Sequence, residues 1–184
     1  MANNKTAAIF HGYGDGPENF WYPYIKKELE NKGYKVWLPQ LPNTNDPQLE
    51  EQLKFVLENF EFAPETILIG HSAGVPLILA LLEKIEVKIK QALLVAGFSV
   101  PLPNTPSQML KEKYDWAKIK AKVEDIIFIN SDNDPWGCDD KQARTMFENL
   151  GGTLIIRHGE GHMGSGKFNQ PYKEFPFLAK LIKD

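Results

Sequence analysis

The sequence predicts an α/β fold: a sheet of about six parallel strands in a three-layer arrangement, with helices on both faces. Three observations support this prediction. Short apolar runs alternate with segments of helical periodicity, the predicted strands are apolar on both faces, and the chain contains no internal repeat or low-complexity tract. The length of 184 residues suits one domain with a full core. We therefore expect residues 1–184 to form a single domain.

The first half of the chain is predicted to contain three strands and three helices. Strands are expected at 6–10, 34–38 and 66–70. The first helix ends near Gly33 and places on one face Trp21, Tyr24, Ile25 and Leu29. The second begins at an Asp46 cap with Pro47 at its first position, and its apolar face is formed by Leu49, Leu53, Val56, Leu57 and Phe60. The third, "VPLILALL", is apolar almost all round, which predicts burial in the middle of the fold.

The second half predicts strands at 91–97, 125–130 and 153–157. A helix capped by Asp139 or Asp140 ends at Gly151-Gly152, and a terminal helix carries Leu178, Leu181 and Ile182. The segment 97–124 interrupts this alternation and opens with three prolines in six residues. It follows the C-terminal end of a strand, where open α/β sheets place their sites. Its first part is either a loop and short helix beside an active site or a plain connection.

Composition excludes some function classes. The formal net charge of −3 argues against a broad nucleic-acid-binding face. One cysteine, Cys138, cannot form an intrachain disulfide, which fits a reducing compartment. The N-terminus lacks the pattern of a signal peptide, and no apolar run reaches membrane-spanning length. We therefore expect a cytoplasmic protein that binds neither nucleic acid nor membrane.

The segment "GHSAG" at 70–74 fits the G-x-S-x-G pattern of a nucleophile elbow. A sharp turn from strand to helix strains Ser72 and exposes its hydroxyl. Side chains two residues before and after it would collide with the turning chain, so glycines stand there. The backbone N–H of Ala73, near the first turn of a helix, can donate to an oxyanion. The alternative is a tight turn with a capping serine.

A serine hydroxyl needs a base, and the base needs an orienting acid. The loops after the fifth and sixth strands supply candidates for both roles. His162 lies among glycines and is favoured over His158, which directly follows a strand. The acid is Asp134 or Asp132. Asp134 is favoured because Pro135 fixes its turn, whereas Asp132 could cap the turn instead. A metal site at His158 and His162 is disfavoured because Gly159 and Gly161 oppose a helix there; we expect neither metal nor cofactor.

The loop "HGYGDG" after the first strand does not match the dinucleotide pattern G-x-G-x-x-G. The second strand also ends without an acidic residue for a ribose. The loop is better explained as the second half of an oxyanion hole, with the backbone N–H of Tyr13 as donor. Gly12 and Gly14 are alternative donors, and a turn without a catalytic role is a further possibility.

With "HGYG", "GHSAG", "SDNDPWG" and "GEGHMG" in this order, the chain resembles the α/β-hydrolase superfamily over its whole length. It is most similar to the small single-domain serine hydrolases related to retinoblastoma-binding protein 9, through "KKELENKGYKVWLPQLPN", "DWAKIKAK" and "DNDPW". This resemblance implies a minimal α/β-hydrolase fold without a large cap domain. It also implies a triad of Ser72, Asp134 and His162. The strand order is expected to be 2-1-3-4-5-6.

The predicted function is hydrolysis of a small carboxylic ester or similar acyl bond through an acyl-enzyme. Four loop residues are expected to line a small apolar substrate pocket, although each could equally belong to the core or surface: Tyr13, Phe98, Trp136 and Met163. Two alternatives stay open. The same triad could catalyse acyl transfer or thioester cleavage, or the chain could be a non-catalytic binding protein on a hydrolase fold.

Overall fold

The computed structural model describes residues 5–103 and 107–184 and contains one six-stranded sheet. Predictions for the first four residues and for Pro106 lie outside the described residues. The strands are β1 (Thr6–Phe10), β2 (Lys35–Trp37), β3 (Ile67–His71), β4 (Ile89–Val95), β5 (Val123–Ser131) and β6 (Thr153–Arg157). The helices are α1 (Tyr22–Asn31), α2 (Leu49–Asn59), α3 (Gly74–Lys84), α4 (Trp116–Ala121), α5 (Asp140–Leu150) and α6 (Pro176–Leu181).

The sheet is parallel throughout, and its order, β2-β1-β3-β4-β5-β6, confirms the predicted one. The chain steps from β1 to β2 in one direction and then proceeds from β2 to β6 in the other. Right-handed crossovers therefore place α1 on one face and α2 to α5 on the other. The contacts agree, because α6 packs against α1 whereas α2, α3, α4 and α5 contact one another in sequence. The order reverses between β1 and β3, and such a point opens a crevice at the strands' carboxyl ends.

Helix α3 forms the centre of the core, as its apolar sequence predicts. Every residue from 74 to 83 is buried, and α3 packs on the fully buried strand β3. The strand just before it and the helix just after it are thus both fixed in the interior. This rigid support holds the turn between them, where Ser72 lies.

Helix α2 begins later than predicted. Asp46 does not cap it: the N-cap is Gln48, and Asp46 donates its backbone N–H to Asn43 in a preceding turn. Asn43 has a positive φ of 48° and bonds Glu51 through its side chain, which holds this turn outside the helix. Leu57 was predicted on the apolar face but is 42% exposed, since the buried stripe passes through Leu49, Leu53 and Val56.

Strand β4 starts and ends two residues earlier than predicted. Its early end follows from Ala96, which adopts a positive φ of 46° directly after Val95. The cap of α5 is Asp139, whose carboxylate accepts from the N–H groups of Lys141 and Gln142. The segment 97–124 contains a 3₁₀ turn at Ser107–Met109 and helix α4. None of the helices in the described ranges is both long and apolar enough to cross a membrane.

Candidate active site

Ser72 occupies the turn between β3 and α3 in a strained conformation, with φ of +52°. Both flanking glycines are required by close packing. A Cβ on Gly70 would lie 2.8 Å from the carbonyl oxygen of Gly74, and a Cβ on Gly74 would lie 2.3 Å from that of Phe10. The strand and helix therefore meet too closely for larger residues, which is the physical reason predicted for this pattern.

His162 and Asp134 form a buried pair in the loops after β6 and β5. The Nδ1 of His162 lies 2.7 Å from Oδ2 of Asp134, and the two side chains are 6% and 0% exposed. The other carboxylate oxygen, Oδ1, accepts from the backbone N–H of Trp136 at 2.8 Å, across Pro135. The carboxylate is thus fixed on both oxygens and holds the imidazole in one orientation.

The competing residues Asp132 and His158 pair with each other instead. His158 Nδ1 lies 2.6 Å from Asp132 Oδ2, and the His158 side chain is 95% exposed. Asp132 also accepts from the N–H of Gly159 at 2.9 Å. These contacts lower the pKa of the Asp132 carboxyl, led by the Gly159 hydrogen bond, and Asp132 raises the pKa of His158. The geometry separates two Asp–His pairs, and only that of Asp134 and His162 is buried.

Ser72 and His162 line the same cavity. Among residues 5–103 and 107–184, no hydrogen bond engages Nε2 of His162, and the Ser72 side chain contacts the Cys138 thiol. Ser72 thus lines the same cavity as the histidine of the Asp134–His162 pair.

The position of His162 is fixed by its backbone. Its N–H donates to Oε1 of Gln170 at 2.9 Å, and its carbonyl accepts from Nε2 of His71 at 2.9 Å. The carbonyl of the next residue, Met163, accepts from the indole of Trp21 at 2.8 Å. The loop cannot shift without breaking buried hydrogen bonds.

Met163 corrects the predicted substrate pocket. Its side chain is fully buried and does not line the cavity. Met163 has a positive φ of 51°, and the indole bond to its carbonyl holds its backbone at the buried Trp21. The same turn therefore exposes His162 to the cavity and buries the residue that follows it.

The three candidate backbone donors of the loop after β1 differ in their partners. The N–H of Gly12 donates to Tyr22 at 3.4 Å, and that of Gly14 donates to the carbonyl of Thr44 at 2.7 Å. The N–H of Tyr13 has no acceptor among the described residues, and neither has that of Ala73 at the start of α3. A Cβ on Gly12 would lie 3.1 Å from Cβ of Ser72, so the loop directly adjoins Ser72.

The cavity has a volume of about 470 Å³ and is lined by segments that follow several strands of the sheet. Three of the four predicted residues line it: Tyr13, Phe98 and Trp136 do, whereas Met163 does not. Leu102 and Met109 extend the apolar wall from the segment after β4, which supports its interpretation as part of the site. Gly14, an alternative donor in the sequence prediction, also lines the cavity. The lining residues not foreseen from sequence are Asp15, Asn19, Phe20, Pro47, Leu102, Met109, Cys138, Gly164, Ser165, Gly166 and Lys167.

Behind the cavity lies a buried polar cluster. Burial lowers the pKa of His71 well below its usual value and raises that of Tyr22, so both are neutral. Burial also raises the pKa of Asp15 to about 6. Nothing in "GHSAG" indicates that the ring of His71 reaches the loop of His162. The position of Asp15 in "HGYGDG" was the available signal for that carboxyl.

A metal could find three ligand atoms here, on Asp134, Cys138 and His162, all within 4.8 Å of one another. The arrangement does not favour one. Nδ1 of His162 is already engaged by Asp134. Burial, and then the charge of Asp134, raise the pKa of the Cys138 thiol, whereas a metal ligand must be a thiolate.

The comparison with known proteins agrees with this geometry. The family model described as serine hydrolase matches residues 7–183. The chain belongs to the serine hydrolase family.

Two proteins with similar sequences support this family assignment. The chain is 33% identical to the Bacillus subtilis (strain 168) protein YdeN over 137 residues, 71% of either chain. It is 26% identical to serine hydrolase RBBP9 of Rattus norvegicus over 180 residues, 92% of this chain and 93% of that one. The crystal structure of the B. subtilis ydeN gene product superimposes with a TM-score of 0.85, at 27% identity and 96% coverage of both chains. The six-stranded parallel sheet is accordingly a minimal α/β-hydrolase fold, as predicted.

Proposed function

We propose that this serine hydrolase cleaves a carboxylic ester, or a similar acyl bond, of a small substrate through Ser72, His162 and Asp134. The observation that carries the proposal is the buried pair of Asp134 and His162 on a cavity that Ser72 also lines. A buried carboxylate fixed on both oxygens is the group that orients a catalytic imidazole.

In the proposed reaction, Ser72 Oγ attacks the substrate carbonyl while Nε2 of His162 takes the hydroxyl proton. Asp134 holds the imidazole tautomer and stabilises the imidazolium. The free N–H groups of Tyr13 and Ala73 bind the oxyanion of the tetrahedral intermediate. His162 then returns the proton to the leaving alcohol, and the acyl group stays on Ser72. Water, activated by the same imidazole, releases the acid and regenerates the serine.

The cavity supports a substrate of limited size. Phe98, Leu102 and Met109 form an apolar wall, which favours short or medium acyl chains. A volume near 470 Å³ lies at the lower end of small-molecule sites. No step in this reaction requires a cofactor.

A fluorophosphonate probe tests the proposal, because it phosphonylates only an activated serine. We expect a mass increase on the peptide that contains Ser72 and none in Ser72→Ala. Ser165→Ala removes the hydroxyl of another serine on the cavity and should still take the label. No labelling of folded wild-type protein would contradict an enzyme and favour a binding protein. If the protein is labelled but passes the acyl group of an ester substrate to an added alcohol faster than to water, the result would contradict hydrolysis and favour acyl transfer.

A further inference from the structure

Four groups form a hydrogen-bonded chain that connects the cavity wall to the loop of His162. Asp15 Oδ2 lies 3.1 Å from the hydroxyl of Tyr22, which lies 2.7 Å from Nδ1 of His71. Nε2 of His71 lies 2.9 Å from the carbonyl oxygen of His162. The backbone N–H of Gly12 reaches the same Tyr22 hydroxyl at 3.4 Å. The Asp15–Tyr22–His71 chain thus contacts both the proposed oxyanion loop and the proposed base.

The positions of the protons follow from donor and acceptor chemistry. A carbonyl only accepts, so Nε2 of His71 carries the hydrogen. The ring is neutral, so its Nδ1 is an acceptor and receives the only proton of Tyr22. The Tyr22 oxygen can then only accept hydrogen bonds from its other neighbours. The N–H of Gly12 is such a donor, whereas Asp15 can donate to Tyr22 only as a protonated acid.

An ionised Asp15 disrupts this arrangement. Its carboxylate would face a lone pair of Tyr22 at 3.1 Å, or it would draw the Tyr22 proton away from His71. The second outcome leaves Nδ1 of the fully buried His71 ring without a hydrogen-bond donor, which costs free energy. A carboxylate at this place would also oppose negative charge developing near Tyr13. Each effect favours the neutral acid during the reaction.

Burial raises the pKa of the Asp15 carboxyl, although several neighbouring groups favour its ionised form. Among the described residues, no lysine or arginine forms an ion pair with Asp15. A hydrogen bond from Tyr22, the charge of His162 and a hydrogen bond from the Gly12 backbone each lower the pKa of Asp15 by less than burial raises it. Lys167 lines the same cavity. His11 is committed on both nitrogens, donating to the carbonyl of Gly12 and accepting from the N–H of Leu41.

We propose that Asp15 is a positioning residue of this enzyme that acts as a neutral acid, holding Gly12 and the loop of His162 in place through Tyr22 and His71. The proposal rests on the proposed function for its effect on the reaction, but the hydrogen-bonded chain itself does not. Burial raises the pKa of Asp15 to about 6, so the neutral acid predominates below that pH and is lost as the pH rises above it. A substrate that displaces water from the cavity favours the neutral form further.

Three variants separate positioning from simple loss of charge. Asp15→Asn keeps the shape and donates to Tyr22 through its amide at every pH. Asp15→Leu has a similar size but cannot donate. Asp46→Asn makes the same change of charge on an exposed carboxyl of a nearby loop.

The first measurement is NMR of the side-chain carboxyl carbon of Asp15 and the ζ carbon of Tyr22 against pH. We expect both signals to titrate together in wild type, and the Tyr22 response to disappear in Asp15→Asn but not in Asp46→Asn. A Tyr22 signal that ignores the ionisation of Asp15 overturns the proposal.

The second measurement is the rate of fluorophosphonate labelling of Ser72. Between about pH 5 and about pH 8, we expect the ratio of the wild-type rate to the Asp15→Asn rate to fall at least about threefold, because only wild type ionises there. The ratio of wild type to Asp46→Asn should stay constant, and Asp15→Leu should be about tenfold slower than Asp15→Asn throughout. Equal rates for these two Asp15 variants, or a constant wild-type to Asp15→Asn ratio, would overturn the proposal. Absence of any labelling in wild type counts against the proposed function, and the NMR measurement then decides the inference alone.

Discussion

At the residue scale, the choice between two aspartates depends on which histidine each one reaches. Asp132 and Asp134 are two residues apart in the loop that follows β5, so sequence position separates them poorly. Asp134 points into the fold and meets His162, whereas Asp132 meets the exposed His158. The hydrogen bond from Trp136 N–H to Asp134 fixes the inward direction. The sequence argument from Pro135 therefore identified the turn that sets this geometry.

Asp134→Asn and Asp132→Asn form a matched pair of substitutions at this scale. We expect Asp134→Asn to lower kcat for ester hydrolysis by roughly 10³–10⁴-fold, because an amide cannot hold the imidazole in the active tautomer. Asp132→Asn should change kcat by less than about threefold, since its partner lies on the surface. Steady-state kinetics on p-nitrophenyl esters, with circular dichroism as the folding control, measures both. The reverse ranking would assign the acid to Asp132.

At the element scale, the site depends on where helices begin. Helix α3 begins at Gly74, and Ala73, directly after Ser72, is its N-cap. The N–H of Ala73 therefore has no acceptor within the helix. Helix α5 starts from the Asp139 cap, on the loop that also carries Asp134. The buried amide of Asn130 donates to the carbonyls of Cys138 and Asp139, joining this loop to β5. Caps and buried side-chain bonds thus hold the loops that carry the site.

Asp139→Ala tests the cap of α5. We expect a loss of about 0.5–2 kcal/mol in the free energy of unfolding, because two N–H groups lose their acceptor. Asp140→Ala, one residue later and without a cap bond, should cost less. Urea denaturation followed by circular dichroism measures both. Equal losses would show that charge at the helix N-terminus, rather than the cap, stabilises α5.

At the scale of the whole molecule, the parallel sheet places the site at one edge. Every strand points its carboxyl end the same way, so the loops after β1, β3, β4, β5 and β6 all meet there. The reversal of strand order between β1 and β3 brings Gly12 beside Ser72. The buried helix α3 supports this edge from within.

Leu81→Ala tests the contribution of that core. Leu81 is fully buried in α3, and we expect a loss of about 2–5 kcal/mol in the free energy of unfolding from the cavity created. Leu57→Ala removes the same atoms from an exposed position on α2 and should change stability by less than about 0.5 kcal/mol. Chemical denaturation measures both. A small effect at Leu81 would mean that the core around α3 relaxes to fill the space.

The sequence by itself determined the order of strands and helices, the strained serine between two glycines and the loops that carry the proposed base and acid. These features are local, since period, turn residues and close-packed glycines act over a few neighbouring positions. It placed the ends of α2 and β4 less well, because the turn at Asn43 and the positive φ of Ala96 reflect contacts that periodicity does not contain.

Only the tertiary structure decided which groups meet across the chain. It separated the pair of Asp134 and His162 from that of Asp132 and His158, turned Met163 into the core, and joined Asp15 to His71 through Tyr22. Such contacts depend on the direction in which a side chain leaves its loop. That direction is set by packing and hydrogen bonds between segments remote in sequence, such as Trp21 and Met163, which are 142 residues apart.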